Sequence, residues 1–458
     1  MLAPLRRRDF RLLWTGTAVS LLGDGVFMVA IAWQAYSVSR SPAGLAYVGL
    51  ATSLPQVLLF LLGGAVSDRL PRRTILVLAD LARAATLAAL SAAVAGGSAR
   101  LWDLCLTGAV VGTATAFASP AFDAMVPQIV PRDELLTANA IDQFVRPGAL
   151  QLAGPALGGL AVATIGAAGC FAFDASSFAF SALCVGRVVG GRDAAARAVA
   201  GQAVGGQAVA GQVAPASARP RSAALLGTGG EPATSNLRQD LAEGWRYVLG
   251  YPWLWATFAA ATLTYLLFIG PTQVLLPYIV RYVLHDNAST YGLVLGIGGC
   301  GALGGAMLAS RWRRAHSGIT LAYICWAVAT LAVAGYGLAR GSLGLAAAAL
   351  VVNGAEAAGA VVWSTLKQTR VPNWMLGRVS SIDWCISTAL LPLSYAFTAP
   401  VAHLLGARAT LVTAGVLGAV VTMAFLYVPG VRGGYRAGGP GWARTGQERL
   451  RAGEGRLS

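Results

Sequence analysis

Along the chain, long, mainly apolar stretches alternate with short clusters of arginine. A helix that crosses a hydrocarbon core of about 30 Å needs roughly 20 such residues. Runs of that kind fall near residues 12–38, 44–67, 74–96, 101–119, 142–165 and 168–189, and again near 253–281, 290–310, 318–339, 342–363, 379–404 and 409–429. The pattern predicts an all-α integral membrane protein of about twelve transmembrane helices in two halves of six. The first run, Leu12 to Tyr36, exceeds a signal-peptide core and has no small-residue cleavage pattern after it, so it reads as a first transmembrane helix.

The two sets are separated by a low-complexity stretch, G-Q-A-V-G-G-Q-A-V-A-G-Q-V, followed by Pro215, Pro220 and Pro232. It predicts a flexible linker. The layout is therefore a first half over 1–189, a cytoplasmic linker over 190–238, a second half over 239–430 and a basic cytoplasmic tail over 431–458. The second half opens with L-R-Q-D-L-A-E-G-W-R-Y-V-L, where Leu237, Leu241, Trp245 and Val248 recur at helical spacing, the signature of a helix lying along the membrane surface.

Composition agrees with the pattern. With 56% hydrophobic and 12% charged residues and a mean hydropathy of +0.62, no soluble fold of this length could cover its apolar surface. The 57 glycines suit a membrane bundle, where small residues let helix backbones approach. A net charge of +15 raises the question of nucleic acid, but the arginines lie in short clusters between apolar runs and form no basic face, so no nucleic acid is expected. Those clusters instead fix orientation, because cytoplasmic loops carry the positive excess. Arg6, Arg7 and Arg8, then Arg69, Arg72 and Arg73, then Arg311, Arg313 and Arg314, then Lys367, Arg370 and Arg378 mark one side. Arg40, Arg100, Arg281, Arg340 and Arg408 stand singly on the other. Both termini are expected in the cytoplasm, with the chain in the cytoplasmic (inner) membrane.

Enzyme chemistry has little to stand on. All six cysteines fall within apolar runs, without a C-x-x-C pair, and the three histidines make no catalytic or metal-ligand constellation. No Walker loop is present. No metal, cofactor or catalytic residue is expected, and energy must come from a gradient or a partner.

An internal repeat sharpens the two-half reading. V-P-R-D-E-L-L-T-A-N-A-I-D-Q from Val130 matches V-P-N-W-M-L-G-R-V-S-S-I-D-W from Val371 without gaps, and the same offset carries Trp14 onto Trp255. Parallel six-helix repeats are a transporter architecture.

Between the second and third runs lies G-G-A-V-S-D-R-L-P-R-R-T-I-L, from Gly63 to Leu76. Here Gly64 allows a close helix approach, Asp68 can cap the next helix, and Arg69, Arg72 and Arg73 hold the loop at the cytoplasmic face. This loop resembles the signature loop of the major facilitator superfamily. Its second copy, G-G-A-M-L-A-S-R-W-R-R, keeps glycines and arginines but has Ser310 in place of the aspartate. In the fifth run, Gly154, Pro155, Gly158 and Gly159 resemble the G-P-x-x-G-G part of the antiporter motif of drug exporters, although Leu150 stands where that motif has a further glycine. The fourth run lacks the exporters' arginine and carries Asp103 near its outer end. The opening L-R-R-R-D-F-R-L-L-W, the L-G-D-G of the first run and V-P-R-D-E-L-L-T-A-N-A are similar to the enterobactin-exporter-like and macrolide-efflux-like branch. The resemblance implies alternating access about a central cavity.

Mechanism then turns on polar residues inside helices. Asp24 lies 13 residues past Arg11, about 20 Å into its helix, where a charged carboxylate costs about 2.5–3.5 kcal/mol on insertion scales. It is either a protonatable or substrate-contacting group, or a carboxylate satisfied by donors of neighbouring helices. Glu356, beside Asn353, is its rival for the cavity. Asp174, Gln34, Tyr265 and Gln273 could contact a solute or serve as interhelical hydrogen-bond residues. Asp142, with Arg146 four residues on, and its repeat partner Asp383 fit gate or interface contacts with the loop around Asp68, and Asp80 with Arg83 a paired support for that loop. Trp253, Trp255, Trp363 and Trp374 fit an interfacial belt.

These readings converge on a monomeric secondary transporter in the lipid bilayer that exports a small amphipathic compound, such as an antibiotic, siderophore or other secondary metabolite, coupled to protons. Uptake by symport and a non-transporting membrane sensor are the alternatives, the latter requiring an appended soluble domain.

Overall fold

The computed structural model describes residues 3–130, 134, 141, 145–188, 237–311 and 318–432. Among them, eleven helical segments are long and apolar enough to cross a membrane. The first half contains α1 (Arg8–Ser39), α2 (Pro42–Arg69), α3 (Arg72–Ala95), α4 (Leu101–Ile129) and α5 (Val145–Gly186). The second contains the amphipathic α6 (Leu237–Gly250), then α7 (Pro252–Tyr278), α8 (Ala288–Arg311), α9 (Gly318–Leu338), α10 (Ser342–Arg370), α11 (Asn373–Thr388), α12 (Leu391–Leu405) and α13 (Ala407–Leu426). Residues 189–236, nearly all of the predicted linker, and the tail after residue 432 lie outside the described residues.

Local sequence sets the ends of these helices. Ser41 Oγ accepts from Ala43 N at 3.3 Å, with Pro42 in the first turn of α2. Asp103 Oδ2 accepts from Arg100 N at 2.7 Å, which makes Asp103 part of the N-terminal capping of α4. Two helices run past the predicted spans, α4 by ten residues to Ile129 and α10 by seven to Arg370. Hydropathy marks where a run leaves the hydrocarbon, whereas the backbone stays helical for as long as nothing breaks it.

The fifth and sixth crossings, which bring the eleven segments to twelve, follow from one glycine. At 42 residues α5 is twice the length of a span, and Gly166 within it adopts φ 72°, ψ 173°, a conformation open to glycine without steric cost. Contacts with α1 show that the chain reverses there. Gly25 meets Gly154, and Val26 and Val29 meet Gly158, so the first arm ascends with α1. Gly16 meets Ser181, Gly23 meets Asp174 and Ser177, and Phe27 meets Phe171, so the second arm descends against it. The predicted runs 142–165 and 168–189 are these two arms, and the crossings number twelve among the described residues.

The core is shared unevenly. At the far end, where α1 stops at Ser39, one apolar cluster joins both halves, with Tyr36, Leu45 and Phe171 from the first and Val274, Tyr291 and Tyr336 from the second. At the near end each half keeps its own: Leu13, Ile75, Ala121 and Val185 in the first, Trp253, Tyr323, Trp363 and Met375 in the second. Helix α6 joins the second of these through Tyr247 and Val248, while Trp245 and Leu249 stay exposed. Trp245 and Val248, placed together on one apolar stripe by their spacing, thus part company, because Val248 is covered by the helices beneath it.

Candidate functional site

Two groups of intramembrane polar residues emerge, one in each half. In the first half Asp174 is fully buried on the second arm of α5; its Oδ1 accepts from Ser177 Oγ at 3.0 Å and its Oδ2 has no hydrogen-bond partner among the described residues. It packs on the backbone of Gly23, next to Asp24, and the two carboxylates interact electrostatically with each other and with Arg83. Arg83 forms an ion pair with Asp80 at 3.7 Å, donates to Thr115 Oγ1 at 2.9 Å and lies over the Phe178 ring at 5.0 Å. Asp80 and Arg83 therefore do not support the loop after α2. Arg83 is eleven residues into α3, about 16 Å from its start, and belongs to the aspartate group.

In the second half, Ala260, Ala261, Thr264, Tyr265 and Phe268 of α7 face Trp326 and Thr330 of α9, Glu356 of α10 and Thr422 of α13 around a cavity of about 440 Å³, counting its open mouth. The threonine hydroxyls are engaged with protein: Thr264 and Thr422 pair at 3.0 Å, and Thr330 donates to Trp326 O at 2.9 Å. Glu356 has no hydrogen-bond or ion-pair partner among the described residues. The repeat relates the two groups. The offset that carries Val130 onto Val371 carries Asp24 onto Tyr265, Thr115 onto Glu356 and Ser181 onto Thr422, so equivalent positions hold a charge cluster in one half and a cavity in the other.

Of the remaining candidates, Asn353 is a packing residue. Its Nδ2 donates to Ala349 O at 2.9 Å and fills the space over Gly298 of α8. Gln273 accepts from Tyr395 Oη at 3.0 Å on an exposed part of α7, and Gln34 is partly buried in α1. Neither joins a carboxylate group. Asp383 binds within its own half, accepting from Lys367 Nζ at 2.6 Å and Trp363 Nε1 at 3.0 Å, and not at the loop after α2. Asp142 lies outside the described residues; Arg146 sits over the Phe122 ring at 5.8 Å.

Around that loop, α2 continues through Asp68 to Arg69, and the N-cap position of α3 belongs to Pro71. The side chains of Asp68 and Arg69 lie outside the described residues. Arg72 donates to Ala124 O of α4 at 2.9 Å, and Arg73 to Gly186 O at the C-terminus of α5, where a cation is favoured. The close approach belongs to Gly63, which abuts the Ala116 carbonyl of α4, whereas Gly64 faces open space. The G-P-x-x-G-G glycines divide their work: Gly154 and Gly158 seat α1, and Gly159 meets Gly292 of α8 in the other half. Pro155 is buried beside them.

Trp253 and Trp363 are buried in the second half and are not interfacial anchors; Trp363 packs edge-on against Trp253, Phe258 and Trp326. Trp363 is not at a helix end because α10 outruns its apolar stretch, and Trp253, in the first turn of α7, is covered by packing against it. Far-end contacts between the halves are not among the sites that the sequence pattern predicts. Tyr36 Oη donates to Val274 O, Tyr282 Oη donates to Tyr36 O at 2.8 Å, and Arg281 donates to Trp33 O at 2.8 Å and Ser37 Oγ at 3.0 Å while lying over the Trp33 ring. A signal was available in R-Y following an aromatic-rich run, with Arg281 the single arginine of its loop.

With this geometry in view, comparison with known proteins settles the family. A model of the family described as transmembrane secretion effector matches residues 1–213 and 231–433. The chain belongs to that family. That family places it in the major facilitator superfamily. Macrolide efflux protein A of Streptococcus pyogenes is 27% identical over 137 residues, covering 30% of this chain and 34% of that protein. The multidrug efflux pump Tap of Mycobacterium bovis is 28% identical over 155 residues, covering 33% and 37%, and the MFS-type transporter YfiS of Bacillus subtilis 24% over 161 residues, covering 35% and 37%. The matched stretches span about a third of these relatives' lengths. Among solved structures, a bacterial homologue of the iron transporter ferroportin in an inward-facing state superposes with a TM-score of 0.65 at 14% identity, covering 92% of this chain and 98% of that one. The nucleoside transporter NupG gives 0.63 at 12%, covering 91% and 99%. At such identities these two speak for the fold alone.

Proposed function

We propose that this transporter exports a small amphipathic compound from the cytoplasm in exchange for protons, by alternating access. The observation that carries the reading is the uneven core: the halves share one apolar cluster at the far end and keep separate ones at the near end. This is the arrangement of two rigid bodies that rock about a central path. With both termini cytoplasmic, as the arginine asymmetry implies, the clasp of Tyr36, Tyr282 and Arg281 closes the outer face. The export direction is supported by the efflux relatives and by the glycine seam of Gly154, Gly158 and Gly159. Proton coupling is supported by Asp24 and Asp174, carboxylates inside the membrane that need a proton or a cation whenever the path is dry. The chain works as a monomer, since each half supplies its own polar group.

The test is efflux in inverted vesicles under an imposed pH gradient with a panel of amphipathic compounds. Gradient-dependent accumulation of at least one compound is expected, and none at any pH gradient would refute coupled export. Reporters at the N-terminus, near Gly211 and in the tail should all read cytoplasmic; a periplasmic linker would overturn the orientation.

A further inference from the structure

We propose that the flank between α2 and α11 is a lateral hatch, through which a nonionic amphiphile passes between the near leaflet of the bilayer and the path between the halves. The hatch rests on the exporter reading for its part in transport, but not for entry of the amphiphile as such.

Two helix pairs join the halves along their flanks, and they are built differently. On one flank α5 meets α8 through successive small residues: Gly159 abuts Gly292, Ala156 faces Gly296, and Gln151 and Leu152 lie on Gly299. Contacts spaced this closely keep backbone against backbone along that flank. On the other flank α2 meets the α11–α12 pair at two points. Gly49 takes the ring of Tyr395, and the rings of Phe60 and Trp384 stack with centroids 6.4 Å apart and planes at 18°. The two points are eleven residues apart on each side, so they belong to one antiparallel register and one face of each helix.

Between the two points both sides carry a proline. Pro55 sits inside α2, and Pro392 stands in the first turn of α12, just past the break between Thr388 and Leu391. Each lies 13 residues, about 20 Å, from the far end of its helix, at Pro42 and at Leu405. The far pieces are tied to each other through Gly49 and Tyr395, and α12 is tied to α7, where Ser394 Oγ accepts from Gly270 N at 2.8 Å. The near piece, α11, is held by its own half: Thr262 of α7 donates to Ile386 O at 2.8 Å, and Glu243 of α6 binds Arg378 at 2.6 Å. Toward α2 it offers the Trp384 ring. Breaks at matching depth let the near pieces part while the far pieces stay paired, and the stacked rings are the latch.

The chemistry of the slot names what passes. No charged residue occurs from Gly49 to Phe60 or from Trp384 to Tyr395, so a permanent charge would find no counter-charge there. The register sets Gln56 opposite Thr388, with buried Ser53 about one turn deeper, and these are polar groups for an uncharged head. Leu54, Leu58 and Leu62 are exposed along α2. Phe60 and Trp384 lie 18 and 21 residues from the same far ends, about 27 and 32 Å, where a hydrocarbon core of about 30 Å meets the headgroups. Amphiphiles rest at that level of a leaflet. A tryptophan serving only as an interfacial anchor would need no ring from the other half.

The experiment is photolabelling of the purified full chain in lipid nanodiscs with an alkyl glycoside carrying a diazirine in its chain, the labelled residues being read by mass spectrometry. Label is expected on Ser53 and Thr388 as well as on the lipid-facing Leu58 and Leu62. Ser53 is 6% exposed, so label there reports entry and not surface contact. Phe60→Ala should raise labelling of the slot several-fold and leave Leu58 and Leu62 unchanged. Phe60→Cys with Trp384→Cys, joined by a bis-maleimide in a chain whose six native cysteines are replaced by alanine, should lose the slot label, with the unbridged protein as control. Slot labelling that survives the bridge, or a slot without label in the parent and Phe60→Ala alike, would overturn the hatch. The exporter reading stands apart: a protein labelled in the slot that accumulates nothing in inverted vesicles keeps the hatch and loses export. Accumulation undiminished by the bridge keeps export and loses the hatch.

Discussion

The two halves solve the problem of a charge inside a membrane in different ways. In the first, Asp24, Asp80 and Asp174 gather around Arg83, and the protein supplies most of the compensation itself. In the second, Glu356 stands beside a cavity with no ion-pair partner among the described residues. Both arose on one repeated frame, since a single offset relates Asp24 to Tyr265 and Thr115 to Glu356. A duplicated scaffold thus leaves each copy free to diverge, one toward a charge cluster compensated within the protein and the other toward an open cavity.

The largest effect should come from Asp24→Asn, which keeps shape and hydrogen-bonding capacity but removes the titratable oxygen. Gradient-driven transport should fall by about a hundredfold or more, with passive exchange retained. If Glu356→Gln gives that pattern and Asp24→Asn does not, the assignment of roles to the halves is reversed. Stability should separate the halves next. Arg83→Met leaves buried aspartates without their cation and should cost about 3–5 kcal/mol, read by denaturant unfolding, whereas Glu356→Gln removes an unpaired charge and should cost nothing or stabilise. At the seam between halves, Gly159→Val would press against Gly292 and should cost about 1–3 kcal/mol, while Gly64→Val, facing open space, should be silent.

The smallest effect concerns the exposed clasps at the near end, which are charge-swapped. Arg7 binds Glu134 through two bonds of 3.0 and 3.2 Å, and Glu243 binds Arg378 at 2.6 Å. The Arg7 bonds hold the Glu134 carboxyl below its ordinary value of 4.5. Its contribution is therefore present above about pH 4.5 and lost as pH falls through the depressed value. Arg7→Ala should narrow the gap between unfolding midpoints at pH 6 and pH 3 slightly, and high salt should erase the difference.

Much of the fold was legible because a membrane span is dictated by length and hydropathy, which a linear reading measures directly. The carboxylates at depth were legible for the same reason, since Asp24 and Glu356 interrupt long apolar runs. What one sequence conceals is the partner. Nothing in the spacing of Asp80 and Arg83 separates a loop support from a membrane-centre cluster, because the answer lies on α4 and α5, in Thr115 and Phe178. Asp383 was assigned to the wrong partner for a like reason: Lys367 and Trp363 reach it only because α10 runs on past its apolar stretch. Trp326 did carry an unused signal, lying in the middle of α9, far from either interface.

The reversal at Gly166 leaves almost no slack. Each arm of α5 has about twenty residues, or about 30 Å of helix, so nearly all of the chain between the two ends is consumed in crossing. The hairpin behaves as a ruler pinned at both ends. One residue inserted between Gly159 and Gly166 would have no loop to absorb it and would turn one arm by about 100° relative to its neighbours. The first arm lies against both α1 and α8, so that rotation would be felt in both halves at once, and the spacing of these glycines is itself a joint specification of how the two halves meet.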